Sequence, residues 1–237
     1  MAVKNEKYYF SFFSVKNKLL IYFSRTLGIH IYNNVYKHYI KLNKINLFKD
    51  TYIELLKKYL IKTKNKTLKS LYTDTTFIVN KKGIDNKARN KYMKNKNCNK
   101  ISIITDNKFI PIDIKIFKGN LNDSNILQQQ FINIDTNINY SKYFIADKGY
   151  CSSKIRKLLI AKNILPIIPY NKRNTKDKNK INKLTKNEKI RYKKRIKIEH
   201  IFSNLKSNHK LENRYEKYIN NYEGLLYLYF TKRIYKY

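Results

Sequence analysis

Apolar side chains recur at helical spacing from the N-terminus to about residue 62, in Leu19–Phe23, then Leu27, Ile31, Val35, Tyr36 and Tyr39, then Tyr52–Ile61. Gly28 separates two of these short helical runs, and the polar, basic segment 62–70 reads as a linker. The period then changes from 3.6 to 2. Leu71–Val79 (LYTDTTFIV) is β-branched and aromatic, the pattern of a strand, with Tyr72, Asp74, Thr76 and Ile78 on one face. Residues 80–100 read as a Lys/Asn-rich loop, Ile101–Thr105 as a second strand, and Asp106-Asn107-Lys108 as a turn. Ile110, Ile112, Ile114 and Ile116 line one face of a third strand, the hairpin partner of the second. Asn122-Asp123-Ser124 caps a helix from about Asn125 to Phe131. Tyr143–Asp147 (YFIAD) is a short apolar run suited to a buried central strand. A helix through Ala161 and a proline-bearing edge strand, Ile164–Pro169, follow. After a basic loop from Tyr170 to about Thr185, the chain ends in two further helices, around Glu199 and from Leu225 to Ile234.

This order predicts an α/β fold, with a mixed sheet flanked by helices. Three strands, then helix, strand, helix, strand and helix, is the element order of the ribonuclease H-like nuclease fold. Residues 1–65 form a short N-terminal helical region and 66–237 the sheet-bearing domain. The N-terminal region is either a small DNA-end-binding unit or a helical pair that caps a core.

Charge narrows the partners. Among 237 residues, 52 are Lys or Arg and 16 are Asp or Glu, a formal net charge of +36. Codons for Lys, Asn, Ile and Tyr are AT-rich, so base composition contributes to the lysine excess. Whatever its origin, such a charge repels itself and attracts polyanions, nucleic acid before an acidic membrane. Two cysteines are too few for a disulfide framework, and the four histidines show no zinc spacing. Lys16, Lys18 and Arg25 break the apolar N-terminal run, which is therefore neither a signal-peptide core nor a membrane span. The expectation is an intracellular, reducing location with the DNA.

Tyr192–Lys206 (YKKRIKIEHIFSNLK) contains no Pro or Gly and reads as one continuous helix. Glu199 is isolated among cations there. Tyr192, Arg195 and Lys206 fall at helical spacings from it, so all four side chains are expected on one flank, beside a stripe of Ile198, Ile201, Phe202 and Leu205. One reading is a metal ligand beside a polyanion; the other is a surface Glu that balances its basic neighbours.

Most of the sixteen carboxylates have local explanations. Asp106 and Asp123 serve a turn and a helix cap, Asp85 lies in the basic loop, and Asp113 lies opposite the isoleucine face and is expected to be exposed. Asp74 is mid-strand, where Asp is disfavoured, and Asp147 closes an apolar strand just before Gly149. The plain alternatives are a hydrogen-bonded strand residue and a turn residue. If the first and fourth strands are neighbours, as in the ribonuclease H-like order, the two acids converge and Glu199 completes the cluster. Three carboxylates repel unless they hold cations. Hard oxygen ligands suit Mg²⁺ or Mn²⁺, and a pair of such ions suits in-line attack at a phosphodiester. Lys206, Arg195 and the basic run 171–197 would grip the substrate backbone.

These residues resemble the DDE transposases of bacterial insertion sequences, in the group often called IS-four and IS-five. Tyr192, Arg195, Glu199 and Lys206 fit that group's Tyr-x2-Arg-x3-Glu-x6-Lys signature, and Asp74 (YTDTT) and Asp147 (IADKGY) look like its first and second acids. KISIITD with IPIDIKIFKGNLNDS is similar to the hairpin and Gly-x-x-x-Asp-Ser segment between them, and ILPIIPYNKR to the stretch that follows. Thr75 stands where the family often has Ser, and Lys/Asn residues replace the usual glycines in 86–100. The resemblance implies catalysis by Asp74, Asp147 and Glu199 with Mg²⁺ or Mn²⁺, two ions in all. It also implies cleavage at terminal inverted repeats and joining of the 3′-hydroxyl to target DNA by a homo-oligomer. Tyr192, Arg195, Lys206, Lys148, Lys172 and Arg173 are the expected DNA contacts. Two alternatives are a domesticated, Harbinger-like nuclease and a basic DNA-binding protein with relic acids.

Overall fold

The computed structural model describes residues 29–132, 134, 141–171 and 184–236, with side chains from residue 34 onward. Two compact units are distinguished, 1–47 and 48–237. In the first, helix α1 (Ile29–Lys44) carries the period read from Val35, Tyr36 and Tyr39. Leu19–Phe23, Leu27 and Gly28 lie outside the described residues.

The second unit takes in helix α2 (Leu47–Lys62) from its second residue on. The boundary expected near residue 65 thus falls inside this unit. Tyr52, Leu56 and Tyr59 form a buried stripe on α2. The Tyr59 hydroxyl donates to Asp106 at 2.6 Å, and that of Tyr52 reaches the Pro111 carbonyl. The helix covers apolar surface and satisfies polar groups of the domain that follows it, so it belongs with that domain physically.

The strands are β1 (Ser70–Asn80), β2 (Arg89–Asn90), β3 (Lys96–Thr105), β4 (Pro111–Lys118), β5 (Tyr143–Ile145), β6 (Leu165–Ile167) and β7 (Asn213–Arg214). The sheet runs β2-β3-β1-β5-β6, with β4 also on β3 and β7 on β1. The long hairpin strands are antiparallel, with Asp74 opposite Ile103 and Ile103 opposite Ile114. Strands β1, β5 and β6 are parallel, with Tyr72 beside Ile145 and Ile145 beside Ile167. With the two-residue strands set aside, this is the ribonuclease H-like order, and the proline-bearing β6 is at the edge as expected. The stretch 80–100 is not all loop. It holds β2 and a 3₁₀ turn, Lys91–Met93, and β3 begins at Lys96 rather than Ile101.

Strand pleating sorts side chains onto two faces. Tyr72, Asp74, Thr76 and Ile78 share one with Ile101 and Ile103; Thr73, Thr75 and Phe77 share the other with Lys100 and Ser102. Helix α3 (Asp123–Ile132) covers the second face, where Gln130 accepts from Ser102 and donates to Asp113 at 2.7 Å. Asp113 is therefore half-buried and bonded, not exposed as its loose alternation suggested. Helix α4 (Ser153–Ala161) follows β5. Then come α5 (Lys186–Lys193), α6 (Ile196–Lys206), α7 (His209–Glu212) and α8 (Ile219–Ile234). No helix among the described residues is long and apolar enough to cross a membrane. Cys98 and Cys151 are both free thiols.

The chain after α6 is stapled back to β1 by a buried charge. Strand β7 pairs with Val79 and Asn80, and the Arg214 side chain is fully buried beside them. Its guanidinium donates to the carbonyls of Asp85, Glu216 and Lys217, to Asn99 Oδ1, and to the Asp85 carboxylate. A Cβ at Gly83 would lie 2.5 Å from Arg214 Cζ, so only glycine fits against the guanidinium. Burial pushes the Asp85 carboxyl up, but the Ile219 amide at the start of α8 and Arg214 together hold it below its usual value. Arg214→Met keeps most of the volume and orphans these acceptors. It should cost about 3 kcal/mol of stability, measured by denaturant unfolding, because an unpaired buried partner carries its full desolvation penalty.

Candidate active site

Asp74 is placed mid-strand by the β1–β3 ladder, on the face away from α3. The parallel register that sets Tyr72 beside Ile145, continued two residues, brings Asp74 level with Asp147 at the end of β5. Acids 73 positions apart in sequence thus become neighbours through strand pairing alone.

Helices α5 and α6 reach these acids. The Tyr192 hydroxyl donates to Asp147 Oδ1 at 3.0 Å. Arg195 pairs through Nη1 with Asp74 Oδ2 at 2.5 Å, and through Nη2 with Glu199 Oε1 at 3.4 Å. One guanidinium therefore bridges the β1 acid and the helix acid. The Asp74–Arg195 pair is largely shielded, with side chains 19% and 16% exposed, whereas Glu199 is 56% exposed at the rim.

The expectation of one continuous helix from Tyr192 to Lys206 is corrected here. Helix α5 ends at Lys193 and α6 starts at Ile196. Between them the amides of Arg195, Lys197 and Ile198 bond three residues back, to Tyr192, Lys194 and Arg195. Around this tighter turn Tyr192 and Arg195 bond different acids, Asp147 just beyond β5 and Asp74 on β1. The shielded ion pair and the phenol bond offset the lost helical hydrogen bonds. Tyr192, Arg195 and Glu199 stay neighbours across this break: the guanidinium lies 5.7 Å from the Tyr192 ring centroid and reaches Glu199. Lys206 is half-buried, burial lowers its pKa, and the acid that opposes this is Glu212. Lys148 is exposed immediately after Asp147. Lys172 and Arg173 lie outside the described residues.

Burial dominates the electrostatics. It pushes the Asp74 carboxyl up to about 6, although Arg195 and the Thr75 amide favour its charged form; Asp147 and Asp123 push it further up. Burial and the Asp147 carboxylate raise the Tyr192 phenol. Burial opposes the Arg195 charge, but Asp74, Tyr192, Asp147 and Glu199 together hold its pKa above the usual guanidinium value. Tyr150 is buried beneath the two strands, and burial followed by Asp74 and Asp123 drives its phenol well up.

Among the described residues no three His, Cys, Asp or Glu side chains stand close enough to hold a metal ion. Asp74, Asp147 and Glu199 are instead gathered around Arg195, which all three act on. All-oxygen donors are the type a hard divalent ion takes, but here Arg195 stands between Asp74 and Glu199 and the carboxylates are not drawn together closely enough to hold one.

Sequence reasoning missed Asp123. Read as a helix cap, it is the first residue of α3, and its Oδ1 accepts from Thr75 Oγ1 at 3.0 Å and from Lys100 Nζ at 2.8 Å. The available signal was its place as the acid of the Gly-x-x-x-Asp-Ser segment, Gly119 to Ser124.

The transposase DDE domain family model matches residues 67–231, most of the chain and the whole of this sheet. The chain belongs to that family. It also resembles solved structures at low identity. Against the "Mos1 Strand Transfer Complex" the identity is 17% and the TM-score 0.41, covering 78% of this chain and 57% of that one. The "catalytic domain of Mos1 mariner transposase" gives 15% and 0.32, covering 80% and 89%. This chain thus spans little more than half of the Mos1 chain in the first of these. No curated protein matches it. Transposases of the DDE class generally use divalent metal ions.

The raised carboxyl of Asp74 has a measurable consequence for the metal-free protein. A folded-state pKa above the usual 3.8 means that stability is greatest at pH values below about 4 and is lost as pH rises through about 6. Asp74→Asn mimics the protonated form. In a chelator its stability relative to wild type should rise by about 1.4 kcal/mol from pH 5 to pH 8, read from denaturant midpoints at the two values.

Proposed function

We propose that this protein is a transposase that cuts DNA at the ends of its element and joins the freed 3′-hydroxyl to target DNA. The single observation that carries this reading is that Asp74 on β1 and Asp147, two residues beyond the parallel neighbour β5, are bonded by Arg195 and Tyr192 respectively, within a transposase DDE domain. Asp74 and Asp147, with Glu199 from the helix side, would hold Mg²⁺ or Mn²⁺. Ions held there would supply activation of the attacking water or 3′-hydroxyl and stabilisation of the leaving oxygen, the chemistry of a two-metal site.

The chain's own groups do the rest. Tyr192 fixes the orientation of Asp147 by its hydrogen bond. Arg195 neutralises Asp74 and Glu199 between turnovers, and its guanidinium suits a phosphate once those acids are neutralised otherwise. Lys148, Lys206, Lys172 and Arg173 supply backbone contacts that give affinity and register without reading bases. Terminal repeats and target DNA are then its partners, and a homo-oligomer is the assembly that pairs two element ends. On this reading the protein works inside the cell, with the DNA, and residues 1–65 contribute to recognition of the element's ends.

Nicking of a DNA that carries the flanking terminal repeats, with Mg²⁺, tests this directly. Asp147→Ala should lower the rate by roughly 10³-fold while leaving DNA binding in place. Equal rates in both proteins would refute the assignment, and binding without cutting by wild type would favour a relic DNA-binding protein. A second measurement concerns the charge. Affinity for duplex DNA should fall by roughly 10³-fold between 50 and 200 mM salt if six or more phosphates are contacted, and a flat response would remove the basic groove.

A further inference from the structure

We infer that Asp123 is a positioning residue of this site, acting through Thr75 on the metal-binding acid Asp74. The inference rests on the assignment of Asp74 and Asp147 made above. Thr75 is the pivot. On one face of the sheet its amide donates to Asp74 Oδ1 at 2.9 Å. On the other, its hydroxyl donates to Asp123 Oδ1 at 3.0 Å. Adjacent residues of a strand point to opposite faces, so this pair of bonds carries the position of Asp123 through the sheet to Asp74.

Asp123 is itself anchored. Lys100, opposite Phe77 on β3, donates to Asp123 Oδ1 at 2.8 Å and to the Leu121 carbonyl at 2.8 Å. The lysine side chain is 8% exposed and its ammonium lies 4.8 Å from the Phe77 ring centroid. A buried ammonium costs several kcal/mol unless paired, so this lysine fixes the loop before α3 and the acid at the helix start. The other oxygen of Asp123 faces the turn after β5: a Cβ on Gly149 would lie 3.7 Å from Oδ2. One carboxylate thus bonds β1 through Thr75 and faces the Asp147 turn at Gly149, so it lies between the segments that present the paired acids. Tyr150, on that turn, is buried in the same place and feels Asp74, Asp123 and Asp147 together. Helix capping does not require this arrangement; a cap bonds the amides of its own helix.

Mn²⁺ binding to the full-length protein without DNA, followed by calorimetry, reads this out apart from catalysis. Thr75→Val removes the hydroxyl at constant shape, and Asp123→Asn removes the charge of a side chain about a third exposed. Each should weaken Mn²⁺ binding by roughly 10-fold, the usual effect of losing a group that orients a ligand. The double variant should be no weaker than either single, because both remove one linkage. Thr75→Ser, which keeps the hydroxyl, should bind as wild type. Ser102→Ala, which breaks a hydrogen bond to α3 on the same face, should also bind as wild type. In the nicking assay the metal concentration for half-maximal rate should shift by the same factor. If Thr75→Val and Asp123→Asn bind Mn²⁺ like wild type while cutting still requires Asp147, the positioning role is wrong and the transposase reading stands. If wild type neither binds Mn²⁺ nor cuts, both are wrong. Equal weakening by Ser102→Ala would reduce Asp123 to a general packing residue. Should Thr75→Val unfold, the Asp123→Asn and Thr75→Ser pair decides.

Discussion

Parallel pairing of β1 with β5 is the constraint on which this molecule depends. No local propensity favours Asp in the middle of a strand. The residue is tolerated because its neighbour across the ladder is the end of β5, where Asp147 leaves the sheet. Parallel strands need a crossover between them, and here α3 supplies it on the face opposite the acids. The pairing that creates the site therefore also dictates that one face is helix-covered core and the other open to α5 and α6. Ligands of open α/β sheets bind near the carboxyl ends of parallel strands for this reason.

The second theme is charge under shielding. Asp74 is sheltered enough for burial to outweigh its own ion pair, and Lys100, Arg195 and Arg214 are cations drawn into the same domain. Each is matched by a carboxylate, at Asp123, Asp74 and Asp85. In a chain of net charge +36 acids are scarce, so their use at these three points identifies where the fold tolerates no mismatch. Two of the three pairs touch the site. A buried pair gives little net stability against an apolar replacement, but breaking one is costly, and such pairs hold elements in one register.

The main strands and the sheet order were legible in the sequence, and the reasons are particular. Alternating isoleucines marked β4, and an acid inside LYTDTTFIV stood out because strand formers surround it. The break between α5 and α6 was not legible. Nothing in YKKRIK lacks helix propensity, and the tighter turn follows from contacts with Asp74 and Asp147 that only the folded sheet provides. Asp123 was missed because a local explanation, the helix cap, was sufficient by itself. Arg214 and Asp85 were missed because they meet across more than a hundred residues with no periodic pattern to link them. Residue-level spacing finds elements; it does not find long-range pairs made by side chains that also suit the surface.

The guanidinium between Asp74 and Glu199 has an implication for how the molecule is made. Domains organised around a structural ion stay unravelled until it arrives, because their ligands cannot be brought together uncompensated. Here the polypeptide carries its own counter-cation, so nascent chains are free to complete the sheet in a cell compartment poor in divalent ions. On the proposed reading, supply of a divalent ion would govern when the protein works rather than whether it folds.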